Sequence, residues 1–248
     1  GLVSLCAFLS YWVQADALIG NNGIAPWSED LEKIEQITEQ NPSLSQFSLR
    51  PTLLWFSIPE GHTTLFVLGS LSSLALTIGW VPLASAIVSY ITYLSLMVVG
   101  EPFLSFQWDI LLVETLLLAF PFLPMVSFHR LGPKLSFSNW SRLLLVALLA
   151  KLMFESGIVK FTSFAGDGTN TWRELTALAY HYWTQPLPHP LSSCIHSLPQ
   201  WFDEFSLLTM YAVELILPVL LFFPGNIRRF AVLGQVLLQL AILLSGNY

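Results

Sequence analysis

The feature that most constrains this chain is the recurrence of apolar stretches long enough to cross a lipid bilayer. A helix rises about 1.5 Å per residue, so about 20 apolar residues span the hydrocarbon core. Such stretches fall at 1–13, 63–80, 82–99, 108–128, 142–163, 206–223 and 229–246. In lipid the backbone must satisfy its own hydrogen bonds, which segments of this length do as helices. The expected fold is therefore all-α: a polytopic transmembrane bundle of about seven spans, the first truncated, forming one domain over residues 1–248. Only 10% of the residues are charged, against about 25% in soluble domains, which points the same way. A net charge of −6 gives no basic face for a nucleic acid, so none is expected as a partner. The chain opens on Gly1 within an apolar run, which reads as a piece of a longer gene product.

Val81-Pro82 makes a tight turn between the second and third stretches, a re-entrant hairpin being the alternative. Gly69, Ser72, Ser73, Ser85 and Ser89 let that pair pack closely. Arg130, Lys134 and Arg142 mark one connection and Arg228 and Arg229 another, so the positive-inside rule sets both on the cytosolic side. Connections 14–62, 100–107 and 164–205 are acidic or mixed and fall on the lumenal side, with the N-terminal side cytosolic and Tyr248 lumenal. The sequon Asn139-Trp140-Ser141 is then cytosolic and expected to go unused; a glycan there would invert the topology.

The long lumenal connections carry short helices. Ser28 caps one through Gln40, with Glu29 and Asp30 in its first turn, Leu31, Ile34 and Ile37 along one side, and Asn41-Pro42 as its end. A second, over 172–184, puts Trp172, Leu175, Leu178, Ala179 and Tyr182 on one face and stops at Pro186. It lies at the membrane interface or packs on the bundle as an ordinary loop helix.

Charges inside apolar stretches are costly, at about 2.5–3.5 kcal/mol each at the bilayer centre, so they need partners. Counted from the lumenal ends, Asp109 and Lys160 lie about 2 and 5 Å in; Glu114, Glu155 and Glu214 lie at about 9, 12 and 12 Å, and Lys151 at about 18 Å. These six residues form the candidate intramembrane charge cluster. It is either a structural neutralisation among three packed spans or a proton relay, ion path or base site. Gln235 and Gln239, four apart, mark a polar side of the last span and read as interhelical hydrogen-bonding groups.

No GxSxG, HExxH, Walker A or GxGxxG occurs. No catalytic residue, cofactor or metal is expected. His181, His189, Cys194 and His196 share one connection, but their spacing fits no familiar zinc pattern. Gly166-Asp167-Gly168-Thr169-Asn170 reads as a turn with too few carboxylates for calcium. Cys6 and Cys194 build no disulfide framework.

The wording of several segments goes further. "SFQWDILLVETLLLAF" (105–120), "KLMFESGIVKFTS" (151–163), "WRELTALAYHYWTQPLPHP" (172–190), "QVLLQLAILLSGNY" (235–248) and "YWVQADALIGNNGIAP" (11–26) resemble the lipase maturation factor family, in order and over nearly the whole chain. "FFPGNIRR" and the closing "GNY" stand closer to the second of the family's vertebrate paralogues than to the first. The resemblance implies a multi-pass membrane protein of the endoplasmic reticulum that assists the folding and assembly of secreted dimeric lipases as clients. It also implies a lumenal C-terminal domain following this membrane region. The candidate client-contact loop then holds Trp172, His181, Tyr182, Trp183 and Trp201. The membrane region is more distantly similar to that of vitamin K-dependent carboxylase, which implies the alternative of a membrane enzyme with Lys160 or Lys151 as a buried base. A transporter built on the excess of mid-depth acids is the third reading. Of these, a non-enzymatic maturation factor is the one expected.

Overall fold

Among the described residues the apolar runs are largely helical, and no strand forms. The computed structural model describes residues 1–56, 61–125, 139–185 and 189–246. It falls into two compact units, Gly1–Arg142 and Leu143–Tyr248.

The first unit holds α1 (Leu2–Leu18), α2 (Trp27–Gln40), α3 (Gln46–Leu49), α4 (Gly61–Ile78), α5 (Pro82–Val99), α6 (Glu101–Leu104) and α7 (Gln107–Ala119). α4 lies between α1 and α5 in the packing, and α5 packs on α7. The α4–α5 corner is made as the Val81-Pro82 pair suggests: Gly79 and Val81 take positive φ (78° and 41°), and Pro82 opens the next helix. Hydroxyls key the helices together. Ser4 bonds Ser73 (2.8 Å), and Ser89 bonds both Ser72 (2.8 Å) and Ser73 (3.1 Å). Gly69 has a different neighbour from the one expected. A Cβ there would strike the ring of Phe8, so Gly69 admits α1, not α5. Around it the buried rings interlock, Phe8 edge-on to Tyr93 at 5.2 Å and Tyr11 edge-on to Phe66 at 5.2 Å.

The second unit holds most of α8 (Asn139–Thr162), then α9 (Ala177–Thr184), α10 (Ser192–His196), α11 (Gln200–Tyr211), a π-helical segment (Ala212–Ile216), α12 (Leu217–Leu220) and α13 (Asn226–Ser245). Ala150, Val213, Leu217, Leu221 and Ala231 are its buried core.

Three described helices are long and apolar enough to cross a membrane: α4, α5 and α13. α1 is apolar and has 17 residues, running past the expected end at 13. α8 has 24 residues but carries Lys151, Glu155 and Lys160. The stretch expected as a span over 108–128 is helical only to Ala119, followed by a 3₁₀ turn Phe120–Phe122. Pro121 withholds the N–H that the Leu117 carbonyl would accept, and that ends the α-helix. The run over 206–223 begins earlier, at Gln200, and changes character at the π segment. The end of the fourth stretch (126–128), Arg130, Lys134 and Pro186 lie outside the described residues.

Two expected loop helices differ in detail. α2 starts at Trp27 behind an extended Pro26, so Ser28 sits within the first turn and makes no cap bond. Leu31 and Ile34 of its apolar side are buried, while Ile37 is 43% exposed. The helix expected over 172–184 is broken. Residues 171–175 form turns closed by Thr176 N–H to Thr171 O (2.8 Å), Leu175 takes a positive φ of 60°, and the helix proper begins at Ala177.

Candidate functional site

The second unit places two of the expected charges in direct contact. The Lys160 ammonium donates to both oxygens of Glu214, at 2.7 and 2.8 Å, and to Ser156 Oγ at 2.8 Å. Ser156 in turn donates to Glu214 Oε1 at 3.2 Å. The Glu214 side chain is 3% exposed and that of Lys160 22%. The depth count separates these residues by about 7 Å. The lysine stem makes up the difference by lying back along α8 toward Ser156, one turn earlier.

The local backbone explains how a carboxylate reaches this spot. Pro218 lacks an N–H and crowds the carbonyl four residues before it, that of Glu214. The helix accommodates this by widening into the π segment 212–216, a device that commonly marks functional positions. Opposite it, α8 carries Gly157. A Cβ there would lie 2.6 Å from Leu215 Cδ2 and 3.0 Å from Glu214 Cβ, so glycine lets the two helices meet at the ion pair.

The C-terminal end of α8 is held over the pair by a residue that the sequence placed only in a turn. Asn170 is buried, and its amide donates to the carbonyls of Lys160 (3.0 Å) and Phe161 (3.2 Å). Its Oδ1 accepts from the N–H groups of Trp172 (3.0 Å) and Arg173 (3.1 Å). One side chain thus closes one helix and starts the next turn. The Trp172 ring lies with its centroid 5.7 Å from Lys160 Nζ, and the Arg173 guanidinium lies 5.0 Å from the Phe161 ring. Trp172 also faces His181, with centroids 6.2 Å apart. The preceding turn forms as read: Asp167 Oδ1 accepts from Thr169 N–H (3.0 Å) and Oγ1–H (2.7 Å), and Gly168 takes φ 82°.

The other expected residues are placed as follows. Asp109, in the first unit, is buried and accepts a 2.7 Å hydrogen bond from Tyr93. Glu114 is half-buried, and Lys151 and Glu155 are exposed on α8. Of the client-contact residues, Trp183 and Trp201 are each 64% exposed, Trp172 and His181 are half-buried, and Tyr182 is buried. Tyr182 lines an apolar cavity of 260 Å³ with Leu178, Ile195, Leu207, Met210 and Ile242. Burial there pushes its hydroxyl up to about 12. No group of His, Cys, Asp and Glu able to hold a metal occurs among the described residues. Gly157, Ser156 and Asn170 left signals in the sequence. The first two precede the lysine by three and four residues, on its side of the helix, and the third ends the turn that begins Gly-Asp-Gly.

His181 gives the segment a pH response. Burial, then the nearby Lys160 charge, push its pKa below the ordinary value. The unfolded segment therefore binds more protons than the folded one, and stability rises with pH through the window below about 6.5. Acidifying from about pH 7.5 to about pH 5.5 is expected to loosen residues 170–184, read as faster limited proteolysis of that segment. His181→Gln should flatten the response; an unchanged response would remove His181 as its source.

The comparisons with known proteins bear on the whole chain. A family model described as lipase maturation factor transmembrane domain matches residues 1–248. The chain is 38% identical to lipase maturation factor 2 of Gallus gallus, over 98% of this chain and 34% of that protein. It is 39% identical to lipase maturation factor 2 of Xenopus tropicalis, over 99% of this chain and 35% of that protein. Against lipase maturation factor 1 of Homo sapiens the identity is 31%, over 99% of this chain and 43% of that protein. The higher identity to proteins named factor 2 agrees with the reading of "FFPGNIRR". The chain spans about a third to two-fifths of the length of these relatives. No solved structure matches. An all-helical membrane domain matched by the family model from its first residue to its last, the chain belongs to the lipase maturation factor family.

Proposed function

We propose that the protein to which this domain belongs is a non-catalytic factor of the endoplasmic reticulum membrane that assists folding and assembly of secreted dimeric lipases. The family match over residues 1–248 carries this reading. In it, connections 14–62 and 164–205 face the lumen, the N-terminal side is cytosolic, and a lumenal domain follows the membrane region. Trp183 and Trp201 offer exposed aromatic surface for partly folded clients. The charged groups favour a structural role over a catalytic one. Lys160 Nζ is engaged by both oxygens of Glu214 and by Ser156 Oγ, which ties the side chain into the contact between the two helices.

The test is lipase secretion from factor-deficient cells expressing the full-length parent. Trp183→Ala with Trp201→Ala is expected to lower secretion several-fold at unchanged factor abundance. Lys160→Arg, which keeps the charge, is expected to leave secretion near the parental level. Loss of secretion with Lys160→Arg in a protein of normal abundance would favour base chemistry at this site. No rescue of any of several lipases by the parent would remove the client assignment.

A further inference from the structure

Residues 172–184 carry the apolar spacing of one continuous helix, yet the chain breaks it at Leu175. The break has the form of a helix C-cap. Asn170 Oδ1 caps a first turn by accepting from the Trp172 and Arg173 N–H groups, and the Glu174 N–H returns to the Asn170 carbonyl at 2.9 Å. Leu175 then takes its left-handed φ of 60°, and the N–H groups of Thr176 and Ala177 both close on the Thr171 carbonyl, at 2.8 and 3.0 Å. Glycine ordinarily holds this place, because a Cβ there crowds the following carbonyl oxygen. Leucine gives the corner a standing strain.

Beyond the corner, α9 lies over a hollow. Its Leu178 and Tyr182 wall the 260 Å³ cavity together with Leu207 and Met210 of α11 and Ile242 of α13. A helix seated over unfilled volume gains less dispersion energy than one packed against atoms. At the far end of α9, Gln185 donates to the Ser245 carbonyl at 3.3 Å, and Ser192 donates to the same oxygen at 2.8 Å. That carbonyl keeps a donor when Gln185 withdraws.

We infer that α9 is a hinged lid with two settings, and that Leu175 is the hinge. In the closed setting the helix is broken and α9 covers the cavity. In the open setting Leu175 takes a right-handed φ, and residues 171–184 run as one helix from the same Asn170 cap. Hydrogen bonds are exchanged in this change, not lost. Thr176 and Ala177 leave the Thr171 carbonyl for those of Trp172 and Arg173, four residues back. The Trp172 and His181 rings, now 6.2 Å apart, would stand about 13.5 Å apart along a straight helix. Leu178 and Tyr182 would leave the cavity with them. Strain at Leu175 favours opening, and burial of the two cavity-facing side chains favours closing. Two settings opposed in this way make a switch that a ligand or partner can bias. The lid belongs to the chain itself and does not rest on the client reading.

The experiment is pulsed electron-spin distance measurement on the full-length protein. Spin labels are carried on Thr184→Cys and Phe205→Cys, both at exposed positions, with all other cysteines replaced by serine. The parent is expected to show a main short distance with a minor longer one. Leu175→Gly removes the strain and weakens the continuous helix, so it should lower the long-to-short ratio about five- to thirty-fold. Leu175→Val, whose branched Cβ resists a positive φ, should raise the ratio. Gln185→Ala should raise it too, and since Ser192 still holds the Ser245 carbonyl, this variant carries the test if Leu175→Val folds poorly. A single unchanged distance in the parent and in Gln185→Ala, or a longer distance in Leu175→Gly, would overturn the inference.

Discussion

Glu214→Leu is expected to unfold the second unit under conditions that leave the parent intact. The substitution removes the acceptor of a lysine held inside a helical bundle and leaves its ammonium without a counter-charge. Breaking one side of a buried pair typically costs about 3–5 kcal/mol, because the remaining charge keeps its desolvation penalty and loses its compensation. Lys160 still has Ser156 at 2.8 Å and the face of Trp172 at 5.7 Å, but neither carries a negative charge. Lys160→Met should cost a similar amount from the other side. The double variant Lys160→Met/Glu214→Leu should recover most of the loss, since two apolar side chains of similar size leave nothing to neutralise. The measurement is denaturant titration of purified protein in detergent, with steady-state abundance in cells as a second reading. Single variants as stable as the parent, or a double variant worse than both, would show that the pair does not hold the unit together.

The second large effect is expected from one methyl group. Alanine ordinarily improves a helix by up to about 1 kcal/mol over glycine. At Gly69 the sign should reverse. The new Cβ would fall on the ring of Phe8, which is fully buried and packed edge-on against Tyr93 at an interplanar angle of 89°. The ring has no open space to turn into, and overpacking of this kind costs about 1–3 kcal/mol, more for Gly69→Leu. Gly166→Ala, where nothing lies within 4 Å, is the matched control and should be close to neutral. Thermal unfolding of the three proteins side by side decides it: a Gly69→Ala variant at or above the parental midpoint would mean that α1 and α4 do not meet as described.

These cases also show what can be read from the chain without coordinates. The helices were legible because an apolar run of the right length has no other stable form in lipid. The sharp α4–α5 corner was legible because Val-Pro between two such runs leaves little choice. The partner of Gly69 was not, since a small residue announces close approach without saying to what. The ion pair was half legible. Lys160 and Glu214 both demanded partners, but a count of residues along straight helices cannot foresee a lysine folding back along its own helix. Pro218 was the overlooked clue, four residues beyond the carbonyl it disturbs, and it accounts for the π segment that carries Glu214. The break at Leu175 had no comparable marker, as leucine rarely takes a positive φ.

The Lys160–Glu214 contact joins residues 54 positions apart. During synthesis the lysine-bearing helix is complete well before its counter-ion has been made. For that interval the Lys160 side chain lacks the carboxylate that it meets in the folded unit. Closure of the pair therefore comes late, once the segment that carries Glu214 has been made. It can serve as the event that commits the second half of the domain to its final assembly.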